Sequence, residues 1–228
     1  MSLFEGFDFL RVGKLLGEGM LVTVEVTVLS LLIALVIGLL SCLAGMSKIK
    51  PIAWISKFYI WIIRGTPFIV QLFIIYFGFP QLVRAIGITG FKITPFAAAT
   101  VTLALNAGAY ISEIFRGGIS AIEKGQMEAA RSLGLSKSRA MIKVILPQAF
   151  RISVPSLCNQ FIITLKDSSL ASTISLQEIV YQGNEYAFST YKMFATYLMI
   201  GVAYLVIITI LSAGIKAIER RLDVGNKG

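Results

Sequence analysis

The chain has 228 residues, of which 56% are hydrophobic and only 14% charged, with no His and a net charge of +9; its mean hydropathy is +0.80. A soluble domain carries about 25% charged residues, so this composition excludes one and marks an integral membrane protein. The positive charge fits the Lys and Arg that collect in cytoplasmic loops, and no groove-reading or base-stacking motif accompanies it, so no nucleic acid is expected as a partner.

The N-terminal sequence MSLFEGFDFL carries Glu5 and Asp8 where a signal peptide would carry a basic region, and no cleaved leader is expected. Residues 1–19 space Leu3, Phe4, Phe7, Leu10 and Leu15 among polar neighbours, which predicts an interfacial segment. A first span of about residues 20–45 follows, long enough to cross roughly 30 Å of hydrocarbon. Pro51 restarts the chain, and Ile52–Ile63 reads as an interfacial elbow helix. Span two is then placed at about 66–80, with Pro67 in its first turn and Pro80 at its end. Span three is placed at about 95–118, span four at about 144–165 with Pro155 inside it, and span five at about 193–215. Residues 166–191 are too polar to cross and predict short helical pieces between spans four and five. The whole chain reads as a single all-α transmembrane domain of five transmembrane helices.

Between spans three and four lies a polar, basic hairpin over 120–143. Gln126–Leu133 is rich in helix formers, Gly134 suits a left-handed terminating residue, and Ser136 suits the cap of the next helix. With five spans the two ends fall on opposite sides. The side that holds the Lys48 loop, the hairpin and the tail carries 15 of the 21 Lys and Arg, leaving Arg11, Lys14, Arg84, Lys92, Lys166 and Lys192 for the other. The N-terminus is therefore expected outside and the hairpin and C-terminus in the cytoplasm.

Polar groups inside spans are costly and line the protein interior or a wet cavity. Asn106, Tyr110, Glu113 and Gly117 follow helical spacing in span three, as do Gln160, Thr164 and Asp167 in span four, and span two adds Gln71. The substrate path is expected along Gln71, Asn106, Tyr110, Gln160, Thr164 and Asp167. Asp167 serves equally as a cap for a helix beginning at Ser168, and Glu113 as a partner for Arg116 or Arg64. Asn106, Gln160 and Thr164 have the alternative of bonding neighbouring helices. No GxxxxGK[ST] phosphate loop, metal-ligand cluster or paired nucleophile and base occurs, so the chain has no means of its own to cradle ATP and is not expected to be an enzyme. The small residues Ala129, Ala130 and Gly134 allow close approach of another backbone, and Glu128, Arg131, Lys137 and Arg139 offer charges for pairing.

Glu128, Ala129, Ala130 and Gly134, followed at the right distance by Val144, Leu146 and Pro147, resemble the EAA loop of ABC importer permeases, with Val144 in place of the usual Ile. Arg64, Gly65, Thr66, Pro67 and Gln71, the run Ala109–Gly118, and Leu165–Leu170 are similar to the polar amino-acid (histidine, glutamine, arginine) branch. The resemblance implies a type I ABC importer transmembrane domain in a bacterial cytoplasmic (inner) membrane. It also implies a second permease copy or homologue, two ABC ATPase subunits holding ATP and Mg, and an extracytoplasmic substrate-binding protein. The ATPase-coupling residues would be Glu128, Ala129, Ala130, Arg131, Gly134 and Lys137. Asp167, Glu113 and Glu25 lean toward a cationic amino acid, with glutamine the close alternative. A passive channel or ion-coupled secondary transporter, the rival reading, would need no ATPase partner.

Overall fold

The computed structural model describes residues 5–223, so residues 1–4 of the N-terminal segment and 224–228 of the basic tail lie outside the described part. The described residues form helices α1 (Phe9–Gly45), α2 (Lys50–Gly65), α3 (Phe68–Ala85), α4 (Pro95–Ser120), α5 (Lys124–Ser132), α6 (Lys137–Ile174), α7 (Ile179–Thr190) and α8 (Met193–Asp223), with no strand among them. Five of these, α1, α3, α4, α6 and α8, have stretches long and apolar enough to cross a membrane.

α4 is the centre of the packing, with 72% of its apolar stretch buried against 39% or less in the other four. Its composition explains this: Ala98, Ala99, Ala104, Ala107, Gly108 and Ala109 present almost no side chain, and in a membrane helices associate through such close backbone approach. At Gly38 of α1 a Cβ would stand 2.5 Å from Ile111, and at Gly108 one would stand 2.8 Å from Ile37, so these two helices touch nearly backbone to backbone. Ser30 fastens the contact by donating to the Thr100 carbonyl.

α1 departs from the sequence expectation. Its 37 residues span about 55 Å, so residues 9–19 are an extension of the first span and not a separate interfacial segment. Asp8 caps it by accepting from the Arg11 N–H. The extension is covered because Val12 and Leu16 pack into a cluster with Phe7, Ile179, Tyr186, Ala195 and Ile200. Glu178, at the cap of α7, is fully buried against the same helix and accepts from the Tyr181 N–H and the Tyr204 hydroxyl. Burial pushes its carboxyl up to about 7.

Span two also differs from its predicted limits. α3 does not end at Pro80 but runs on to Ala85. A π turn over Ile74–Gly78 lets Phe79 donate to the Ile74 carbonyl, and the widened turn accommodates a proline that has no N–H to offer. The same device recurs in span four. A π turn over Met141–Ile145 precedes Pro147, and the helix is continuous from Lys137 to Ile174, so the second arm of the expected hairpin is the beginning of the span itself. Span three extends slightly past its predicted end, to Ser120, while the apolar stretch of span five is Met193–Ile215, within a helix that runs on to Asp223.

α2 stays separate, at the Gly45 end of α1. Ser56 donates to the Ser41 carbonyl at 2.7 Å and Tyr59 to the Leu105 carbonyl at 2.6 Å, while Trp54, Phe58 and Trp61 stack along its outward face.

The α1–α7 contact yields a direct test. A Cβ at Gly19 would stand 2.8 Å from the backbone of Glu178 and Ile179, whereas Gly17, one half-turn away, has nothing within 4 Å. Gly19→Ala is expected to cost about 1–3 kcal/mol and lower Tm in detergent by several degrees. Gly17→Ala should leave Tm unchanged or raise it slightly.

Candidate coupling hairpin and polar hollow

α5 ends in a defined stop. Gly134 has φ +85°, its N–H donates to the Arg131 carbonyl at 3.0 Å and the Leu135 N–H to the Ala130 carbonyl at 3.2 Å, which is the paired bonding of a Schellman motif. Ser136 then caps α6 by accepting from the Arg139 N–H. The turn is thus fixed by local chemistry. Met127 packs against the chain's own core with Ile119, Ile145 and Ala149, and Ala130 is buried, at 5% exposure. Ala130 is thus the one member of the expected coupling set that is buried within the chain itself. Glu128, Ala129, Arg131, Gly134 and Lys137 are exposed. Among the described residues, Glu128, Arg131, Lys137 and Arg139 make no ion pair. Leu133, which sequence reasoning passed over, is 85% exposed at the tip. Its signal was an apolar residue directly before the terminating glycine of a polar loop.

A polar hollow of about 540 Å³ opens between α2, α4 and α6, walled by Arg64, Tyr110, Glu113, Ser156, Asn159 and Gln160 among others. Glu113 is its one acid. Arg116 holds it bidentately, at 2.9 and 2.5 Å, and Arg64 stands 3.5 Å away. The Arg64 guanidinium also lies over the Tyr110 ring at 5.4 Å. Arg64 and Glu113 thus give the wall both signs of charge, with Arg116 holding Glu113 from outside the hollow.

Of the six expected path residues, Tyr110 and Gln160 line this hollow. Gln71 and Asn106 are buried and bonded to each other at 3.0 Å. The Gln71 amide also donates to the Ile63 carbonyl and to Thr66, so the pair closes the break between α2 and α3 and does not face the opening. Thr164 is buried behind Gln160, to whose carbonyl it donates. Asp167 is half-buried at the far end of α6, lines no part of the hollow, and its carboxylate makes no capping bond. The wall residues that sequence reasoning missed are Arg64, Ser156 and Asn159. Ser156, Asn159 and Gln160 do share a helical stripe directly after Pro155, and that was the available signal. No group of three or more His, Cys, Asp or Glu that could hold a metal occurs among the described residues.

The model of the binding-protein-dependent transport system inner membrane component family matches residues 24–224. The chain is 40% identical over 205 residues to the arginine transport system permease protein ArtQ of Bacillus subtilis, covering 90% of this chain and 91% of that protein. It is also 40% identical to the L-cystine transport system permease protein TcyB of B. subtilis (92% and 87% covered). To a putative glutamine transport system permease protein of Rickettsia bellii it is 36% identical (91% and 92% covered). Among solved structures, one of an amino acid ABC transporter with histidines superposes with a TM-score of 0.86 at 39% identity, covering 97% of this chain and all of that one. The inward-facing MetNI methionine ABC transporter shares the fold, with a TM-score of 0.76 at 20% identity.

The buried amide pair is testable by a double-mutant cycle. Gln71→Leu and Asn106→Leu should each lower Tm, since each strands the other's amide at about 1–3 kcal/mol. The double variant should lose clearly less than the sum. Strict additivity would mean that the 3.0 Å contact contributes nothing.

Proposed function

Because the chain belongs to the binding-protein-dependent transport system inner membrane component family, we propose that it is the permease subunit of an ATP-driven importer of polar amino acids. One observation carries the reading. α6 begins in the hairpin, at Lys137, and supplies Ser156, Asn159 and Gln160 to the hollow, so one helix joins an exposed docking surface to a charged, amino-acid-sized cavity.

In this reading the assembly holds two permeases, two ATPase subunits that carry ATP and Mg, and a substrate-binding protein outside. It sits in a bacterial cytoplasmic membrane with the hairpin and C-terminus inside, as the Lys and Arg distribution favours. The Glu128, Ala129, Arg131 and Leu133 face enters a groove of the ATPase. Ala129 lets the backbones approach, Leu133 provides the apolar anchor, and the charges set orientation. Closure of the ATPases on ATP moves the hairpins, α6 carries the displacement to the hollow, and hydrolysis resets it.

In the hollow, Arg64 suits an α-carboxylate and Glu113 an ammonium, with Tyr110, Ser156, Asn159 and Gln160 available for neutral hydrogen bonds. Arginine, cystine and glutamine, for which relatives are named, each carry both an α-carboxylate and an ammonium. With Asp167 outside the hollow, the lean toward a cationic side chain rests on Glu113.

Two outcomes are expected. Glu128→Lys combined with Leu133→Asp should release the ATPase subunit during purification and cut ATP-driven uptake at least tenfold, with Tm unchanged; undiminished uptake would end the docking assignment. In proteoliposomes holding this chain, its ATPase and its binding protein, labelled arginine or glutamine should accumulate only with ATP. Asn159→Leu should reduce that uptake at least tenfold while the ATPase stays bound. Equal accumulation without ATP would favour a channel or ion-coupled transporter.

A further inference from the structure

Glu113 faces two cavities. Besides the hollow, it lines a second, more enclosed chamber of about 420 Å³ between α1, α2 and α4, together with Ser41, Ser56, Lys57, Ser112 and Arg116. That volume lies within the roughly 300–1,000 Å³ of small-molecule sites. The chamber is on the hairpin side of the hollow, at the Gly45 end of α1 and the last turns of α4.

Two groups there have no internal use. Thr23, Thr27, Ser30, Thr102, Ser153 and Thr164 are buried helical hydroxyls, and each donates to the carbonyl one turn back. Ser112 is equally buried, at 1% exposure, and borders the chamber, yet its hydroxyl bonds to no described residue. Unlike the occluded hydroxyl of Thr100, that of Ser112 is left open to a group entering the chamber. Lys57, on the opposite wall, has no ion pair among the described residues. The remaining charges, Arg116 and Glu113, hold each other, and Glu113 separates this chamber from the hollow.

We propose that this chamber is a second amino-acid site, an inward station that receives the substrate as it leaves the hollow; the proposal rests on the importer reading above. The substrate's carboxylate takes the Lys57 ammonium and the Ser112 hydroxyl. Its ammonium takes Glu113, which both cavities share and which passes from the Arg64 side to the Arg116 side of its pair. A simple anion would face Glu113 unfavourably and a simple cation would face Lys57 and Arg116. A zwitterion satisfies both walls.

The test is equilibrium binding of labelled arginine, and separately of labelled glutamine, to the purified complex of this chain with its ATPase, without nucleotide or binding protein. Two sites per permease are expected for at least one of them. Lys57→Gln, at an exposed position, and Ser112→Ala should each weaken one site at least tenfold and leave the other intact, and Asn159→Leu should do the reverse. Tm of each variant guards against misfolding. A single site indifferent to Lys57 and Ser112 overturns the chamber while sparing the importer reading. A chamber occupied by co-purified anionic lipid and closed to both amino acids also overturns it. No binding by any form of the complex would count against the amino-acid hollow itself.

Discussion

Inside a bilayer every backbone N–H and C=O must find its partner within the protein, and the organisation of this chain depends on how it meets that constraint at its prolines. Between α2 and α3 the backbone is extended at Thr66 and Pro67, which frees carbonyls that a continuous helix would have used. The Gln71 side chain reaches back to the Ile63 and Thr66 carbonyls, and Asn106 on α4 holds Gln71 in place. A break that would otherwise be a defect becomes a fixed corner, and Arg64 sits on its near side. The position of the guanidinium that faces both Tyr110 and Glu113 is therefore set by an amide pair buried behind it.

That corner explains how charge is tolerated at the middle of the assembly. An isolated carboxylate on a central membrane helix would be expelled or neutralised. Glu113 is held by Arg116 from its own helix, an i,i+3 pair that any sequence reader would draw, and by Arg64 from a helix that reaches it only because the chain turns at Thr66–Pro67. The Arg64 guanidinium is steadied in turn by the face of the Tyr110 ring. The result is a mixed-charge wall facing open space, which is what a zwitterion needs and what a channel for one sign of ion would avoid.

The parts legible in the sequence are those governed by local rules. Hydropathy located the spans, Gly134 and Ser136 announced the stop and restart of the hairpin, and the helical pattern of α4 marked a polar stripe. What could not be read is what depends on a neighbour distant in sequence. Asn106, Tyr110 and Glu113 share a stripe, yet Asn106 turns into a buried bond with Gln71 while Tyr110 and Glu113 face the hollow, because different helices cover different turns of α4. Ala130 looks like its neighbour Ala129 in sequence, yet the fold buries Ala130 and leaves Ala129 exposed. Pro80 reads as a helix limit because nothing in composition reports a π turn, which needs only one residue of slack in the preceding bonds.

The same slack determines how α6 acts as one piece. A Cβ at Gly118 would stand 2.2 Å from the Ser153 hydroxyl and 2.8 Å from the Ala149 carbonyl, so α4 and α6 approach most closely along residues 149–153. Ser153 ties that contact further by donating to the Ile114 carbonyl of α4. The hairpin end of α6 lies on one side of this contact and Ser156, Asn159 and Gln160 lie on the other. A helix held at one close contact and displaced at one end moves in the opposite sense at its other end. The π turn at Met141–Ile145 lies between the hairpin and that contact, and Gln148 donates its amide to the Val144 carbonyl there, so the widened turn is braced rather than loose. In the proposed importer, a displacement of the hairpin would pass through α6 to the fulcrum instead of being absorbed before it, and the wall of the hollow would open or close in step with a surface that it never touches.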